Sequence, residues 1–333
     1  MAPRVLLAGR EISRPRGTRG ATLQDWAGST GGQPNTRWLR DELTQGSVTS
    51  PPGQIAMRYF FGDECGSLSS THDQWFVLGG YHITSREYAR RVPTLWRAIR
   101  RKYDIGPGQE VKCSDLQEAY RRLSRGHLPR AAYLRHLDIG QVQGLTKAII
   151  EGIQGLNTLR IVVAACQPRQ AMAAPWIEGA KEAHWGRTGT AEKRCLGALL
   201  QNLMQRFEFD LRESDEEGTM FFDRLSAEHE ACLEGFFNRL TADRIDHYVQ
   251  YRRLVPSLSF QHTNAHHGLL VADHICHFCW GFLRGLTFHK RVLTLLKHKI
   301  RRGPHGQIPG YGFIFLGSMG VPESLFDDLA LDD

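Results

Sequence analysis

Carboxylates recur at the ends of, or inside, apolar segments of this chain. IAMRYFFGDE closes on Asp63 and Glu64, TMFFD closes on Asp223, and GLLVADHICHF carries Asp273 within an otherwise apolar run. GQEVKCSDL sets Glu110 just after a Gly-Pro turn. A buried charge is costly unless it is paired or bound to metal. Several carboxylates that converge repel one another, so a hard divalent cation is their natural partner. Mg²⁺ prefers oxygen ligands and keeps several waters, which suits an open hydrolytic site. Two such ions about 4 Å apart activate a water and stabilise the leaving oxygen of a phosphodiester. Each acid also has a plainer reading. Asp63 and Glu64 can begin the turn before Gly66, Asp223 can cap the next helix, and Glu110 can be an exposed loop acid. Asp273 is harder to dismiss, because its segment offers almost no polar face.

Asp63 and Glu64 alternate across a regular strand, so the two cannot both point inward; Glu64 therefore ranks below the others as a ligand. Lys112, two residues after Glu110, is a candidate phosphate contact. His262, His266, His267, His274, Cys276, His277 and Cys279 are zinc-ligand types. On a helix, however, Asp273 and His277 share one face while Cys276 and Cys279 share another, which argues against a single tetrahedral site. No Gly-Lys-Ser/Thr phosphate loop and no Gly-x-Ser-x-Gly elbow occurs.

The elements that must position these acids follow from hydrophobic pattern. The chain from Ile55 to Glu64 and the run QWFVLGGYHI read as two strands of a hairpin. Ser85 is the expected cap of an amphipathic helix to about Lys102, which carries Arg86, Arg90, Arg91, Arg97, Arg100, Arg101 and Lys102 against Glu87. Ser114 is the expected cap of a further helix, and 141–154 reads as helical. LRIVVAACQ is the clearest strand, followed by a long helix from Ala191 to about Phe209. TMFFDRL reads as a strand, AEHEACLEGFFNRL as a helix, LVPSLSF as a strand and GLLVADHICHFCWGFLRG as a helix; the basic stretch HKRVLTLLKHKIRR follows. Strands alternating with helices after an opening hairpin imply a mixed α/β layer fold.

FGDECG followed by QWFVLGGYHI resembles the opening of the family catalogued as domain of unknown function 3800. EVKCSDL is similar to its Glu-hydrophobic-Lys segment, MFFD to its later strand-Asp, and GLLVADHICHF to its closing helix. The four matches keep the family's order over about residues 55–290. The resemblance implies a ribonuclease H-like mixed sheet flanked by helices, with helical insertions, and a metal-dependent nuclease. Carried over residue by residue, it makes Asp63, Glu110, Asp223 and Asp273 the catalytic metal ligands, with Glu64 beside them and Mg²⁺ or Mn²⁺ as cofactor. Cys65 stands where the family has Ser, and FQHTNAHHG stands where it often has an Asp-Ser pair.

Composition sets the remaining expectations. The chain has 333 residues, 41% hydrophobic and 23% charged, values of a globular protein. Lys+Arg 42 against Asp+Glu 35 gives a formal charge of +7, which favours an anionic partner. Nucleic acid (RNA, DNA or hybrid) is the expected one, tracked through its backbone by Arg97, Arg100, Arg101, Lys112, Lys290 and Arg291. Residues 1–54 read as a flexible basic arm that can order on a nucleic acid or a protein partner, with a short helix around Trp38 to Leu43, and 55–333 as one domain with a helical, basic C-terminal extension. The apolar run after the first residues is too short for a signal peptide. No apolar run reaches the ~18–20 residues of a membrane span, and seven scattered cysteines suggest a reducing, cytoplasmic setting. The alternative function is a nucleic-acid-binding or scaffolding subunit with a weak or inactive site.

Overall fold

A computed structural model of the chain describes residues 56–68, 75–173, 190–242, 249–263, 266–316 and 323–331. The expected arm over 1–54 and its short helix at 38–43 lie outside the described residues, as do positions 264–265 of the histidine-rich segment. Among the described residues no helix is long and apolar enough to cross a membrane.

The apolar, β-branched and aromatic runs pair into one six-stranded mixed sheet. Its strands are β1 (Met57–Cys65), β2 (Phe76–Thr84), β3 (Arg160–Cys166), β4 (Glu217–Asp223), β5 (Leu254–Gln261) and β6 (Phe313–Phe315). They lie in the order β5-β4-β1-β2-β3-β6. The hairpin β1/β2 and the pair β2/β3 are antiparallel. β4 lies parallel to β1, and β5 parallel to β4. β6 was not foreseen; it adds three residues in parallel to the free edge of β3.

Eight α-helices are described: α1 (Ser85–Lys102), α2 (Cys113–Leu123), α3 (Ile139–Gly155), α4 (Pro168–Met172), α5 (Ala191–Ser214), α6 (Ala227–Thr241), α7 (His267–Leu283) and α8 (Thr287–Leu295). Helix starts follow side-chain chemistry. Thr84, one residue before the expected Ser85, caps α1 by accepting from Glu87 N. Asp138 and Gln141 form a capping box on α3. α2 begins at Cys113 rather than after Ser114, and Lys112 precedes it with no side-chain cap.

The period-2 pattern of the strands splits the core into two layers. Phe61, Val77, Tyr81, Val163 and Ala165 face α1, α2, α3, α7 and α8. Phe60, Leu78, Val162, Met220 and Phe222 face α5 and α6. α7 is apolar almost all round, as a helix packed between the sheet and other helices must be.

Candidate active site at the ends of β1 and β4

The strand pattern decides which acids meet. Asp63 shares the odd-numbered face of β1 with Phe61 and Cys65, against α7. β4 runs beside β1 with Gly62 opposite Phe222, so Asp63 and Asp223 occupy the next positions on neighbouring strands. Asp223 shares a face with Phe221, which packs against the same layer. Asp273 reaches this place from α7, and its Oδ2 accepts from Cys113 N at the start of α2 at 2.8 Å. Asp63 Oδ1 accepts from Glu64 N at 2.7 Å. Asp223 Oδ1 accepts from Arg224 N at 2.9 Å and from Thr263 N at 3.1 Å. Asp223 is not the cap of α6: Ser226 caps that helix, accepting from His229 N.

Electrostatics ties the three together. Loss of hydration holds Asp63 well above the usual carboxylate range, and the charges of Asp273 and Asp223 push it further. Burial raises Asp273 too, Asp223 adds to it, and the Cys113 N–H, His277 and Lys112 oppose the rise. Lys112 Nζ lies 3.3 Å from Glu110 Oε2. Burial works against the Lys112 charge, but Glu110, Asp273 and Asp223 outweigh it and hold its pKa above the ordinary lysine value. Glu110 therefore borders the cluster through its lysine partner. Glu64 faces the other way. Burial raises its pKa, and its nearest charges besides Asp223 are His229 and Glu192 of the α5/α6 layer, as strand alternation required.

The histidine-rich segments divide. Burial lowers His277 to about 4 against the pull of Asp273. Its Nδ1 lies 3.6 Å from Cys65 Sγ, and its Nε2 is buried with no hydrogen-bond partner. His274 hydrogen-bonds Val111 O at 2.9 Å. Cys276 and Cys279 are fully buried core residues. His266 stacks on Phe221 (5.2 Å, 24°) and on Tyr88 (5.4 Å, 24°), and Tyr88 Oη bonds its Nδ1 at 2.8 Å. With Tyr59, half-buried and edge-on to Phe221, these rings pave the strip of sheet leading to Asp63 and Asp223. Sequence reasoning missed that strip; its signal was the alternation placing Tyr59, Phe61 and Asp63 on one face.

The candidate phosphate contacts do not all face outward. Arg97, Arg101, Lys290 and Arg291 are exposed, and Lys290 pairs with Asp328. Arg100 corrects the expectation: it is 7% exposed, donating to Gln109 O at 3.0 Å and standing 3.2 Å from His267 Nε2. The cause is helical geometry, since position 100 lies one turn beyond buried Trp96. Later in the chain Lys299 is likewise buried, donating to Leu156 O.

Oxygen donors that are anionic, partly buried and mutually repelling fit a hard divalent cation in kind. Among the described residues, no three His, Cys, Asp or Glu side chains stand as a ready-made metal-ligand group. The chain matches no protein-family model, no curated protein and no solved structure.

Proposed function

We propose that the chain is a metal-dependent nuclease that hydrolyses phosphodiester bonds of RNA or DNA, built on a ribonuclease H-like sheet. The observation that carries this reading is the meeting of Asp63, Asp223 and Asp273 from two strand ends and one helix, with Asp63 and Asp273 destabilised as anions. The opening hairpin, extended by antiparallel β3 on one side and parallel β4 and β5 on the other, supports the fold assignment.

Asp63, Asp223 and Asp273 are the residues that would hold Mg²⁺ or Mn²⁺, with Glu110 at the border. A bound ion of this kind lowers the pKa of a water and stabilises the charge on the leaving oxygen. The chain's own groups do the rest. Backbone N–H groups of Cys113 and Thr263 fix the orientation of Asp273 and Asp223. Lys112 keeps its proton and offers a point charge to a phosphate. The Tyr59–Phe221–His266 strip offers ring faces to bases, which stack without sequence choice.

Purified protein incubated with labelled RNA, DNA and hybrid, with Mn²⁺ or with chelator, tests the proposal. Cleavage that needs the ion and is lost in Asp63→Asn is expected. Salt-sensitive binding without cleavage would leave only a binding or scaffolding role, and chelator-resistant cleavage would remove the carboxylates from the chemistry.

A further inference from the structure

At the opposite end of the sheet lies a second polar site, independent of the nuclease reading. A pocket of about 410 Å³ opens between the start of β1, the end of β2, the start of β3 and the last turn of α5. Arg58 and Asp63 are five residues apart on one strand, so the pocket is about 17 Å from the carboxylates. Its lining carries four guanidinium groups (Arg58, Arg160, Arg301 and Arg302) against two carboxylates, Asp210 and Glu213.

Three of these charges, Arg58, Asp210 and Arg301, are held in place by a chain of contacts through His82. Glu216 pairs with Arg58, and Arg58 Nη1 lies 3.4 Å from His82 Nδ1. Because a guanidinium only donates, the His82 proton belongs on Nε2, which donates to Asp210 Oδ2 at 2.8 Å. Arg301 Nε closes the chain on Asp210 Oδ1 at 2.6 Å. Asp210 thus already answers two of the basic side chains, one on each oxygen. Arg301 Nη1 is left buried with no hydrogen-bond partner, on a residue only 7% exposed. The backbone around it is rigid: Ile300 bridges Ile161, and Arg301 N donates to Ile161 O at 3.0 Å. At the rim, Arg160 spends only Nη1, on the carbonyls of Asn157 and Leu159. The lining therefore carries more guanidinium than carboxylate, an excess that an anionic ligand can meet.

We propose that this pocket binds a small phosphate-bearing ligand of nucleotide size, with its phosphate held by the guanidinium of Arg160 at the rim and by the pocket-lining edge of Arg301. Guanidinium forks match phosphate geometry, and the volume lies in the range of small-molecule sites. Ile300 and Leu331 add apolar wall for the part of the ligand beyond the phosphate.

Isothermal titration of the full chain with inorganic phosphate and with uridine 5′-monophosphate, at fixed ionic strength with chelator present, tests this. Saturable binding of at least one of them is expected. Binding of both at similar affinity assigns the recognition to the phosphate alone; binding of the nucleotide only assigns part of it to the wall. Arg160→Ala, at an exposed position the fold does not need, should weaken binding roughly tenfold or more, and Arg301→Lys should weaken it with the net charge kept. Asp63→Asn should leave it unchanged. No saturable binding, or equal affinity in wild type and both arginine variants, overturns the proposal.

Discussion

Asp63→Asn separates a metal site from a structural carboxylate by the sign of its effect. Asp63 and Asp223 follow directly on the paired positions Gly62 and Phe222 of neighbouring strands, which run about 4.8 Å apart. Two ionised carboxylates about 5 Å apart repel by about 3 kcal/mol at an effective dielectric of about 20. Asp273 adds to this, whereas partial exposure and retained protons reduce it, so removing the Asp63 charge should stabilise the metal-free chain by about 1–3 kcal/mol. At roughly 2 °C per kcal/mol for a chain of this size, the melting midpoint in chelator should rise by about 2–6 °C. The folded pKa values of Asp63 and Asp273 are raised, so the folded state keeps protons that the unfolded chain has released. Wild-type stability without metal should therefore grow as pH falls through those raised values toward the ordinary ~3.9, and the advantage of Asp63→Asn should shrink over the same window. Saturating Mg²⁺ or Mn²⁺ should shrink or reverse the variant's advantage, because ion at about 100 times its dissociation constant stabilises the wild type by about 2.7 kcal/mol and the variant by less. Calorimetric melts with chelator and with metal decide it. A variant that is less stable in chelator, or that keeps the full metal-induced shift, refutes the reasoning.

Three further outcomes follow from packing. Glu208 is fully buried and accepts from Arg252 N, Arg253 N and Leu254 N while pairing with Arg212; Glu208→Ala should cost about 3–5 kcal/mol in urea unfolding, and a loss under ~1 kcal/mol would mean water replaces it. A Cβ at Gly80 would lie 2.0 Å from Phe61 O, whereas Gly106 has nothing within 4 Å, so Gly80→Ala should destabilise by about 3 kcal/mol or more and Gly106→Ala by no more than about 0.5 kcal/mol. Burial lowers His82 despite its bond to Asp210, so the unfolded chain binds its proton first and stability drains as pH falls below about 6.5. His82→Gln should make that acid-side loss shallower in unfolding measurements at pH 7.5 and 5.5, and an unchanged slope would discount the histidine.

How much of this was legible depended on the range of the cause. Runs such as LRIVVAACQ and TMFFD became β3 and β4 because period and β-branching act locally. The split of Asp63 from Glu64 was legible for the same reason. β6 was not: its three residues sit in a Gly- and Pro-rich segment and form a strand only because β3 offers a free edge, where Leu316 N donates to Ala165 O. The inward turn of Arg100 was a conflict between charge and helical register, which register won because His267 and the Gln109 carbonyl satisfy the guanidinium. The far pocket left no sequence signal, since Arg58, His82, Asp210 and Arg301 stand up to 243 positions apart and meet only through the sheet.

The charge count at the carboxylate site explains why the chain alone leaves it unbalanced. Asp63, Glu110, Asp223 and Asp273 carry four negative charges when ionised, and Lys112, the cation they hold among themselves, returns one. His277, the next basic group, is lowered to about 4 by burial, so it adds no positive charge near neutral pH. Three negative charges remain in a partly buried place, and burial together with this mutual repulsion raises the pKa values of Asp63 and Asp273. A structural ion pair would have been completed from within, as Glu208 is by Arg212 and three backbone N–H groups. The carboxylate site therefore differs from Glu208: the described residues around it supply fewer positive charges than it holds acids, which is the feature that the metal proposal uses and that the chelator melts test.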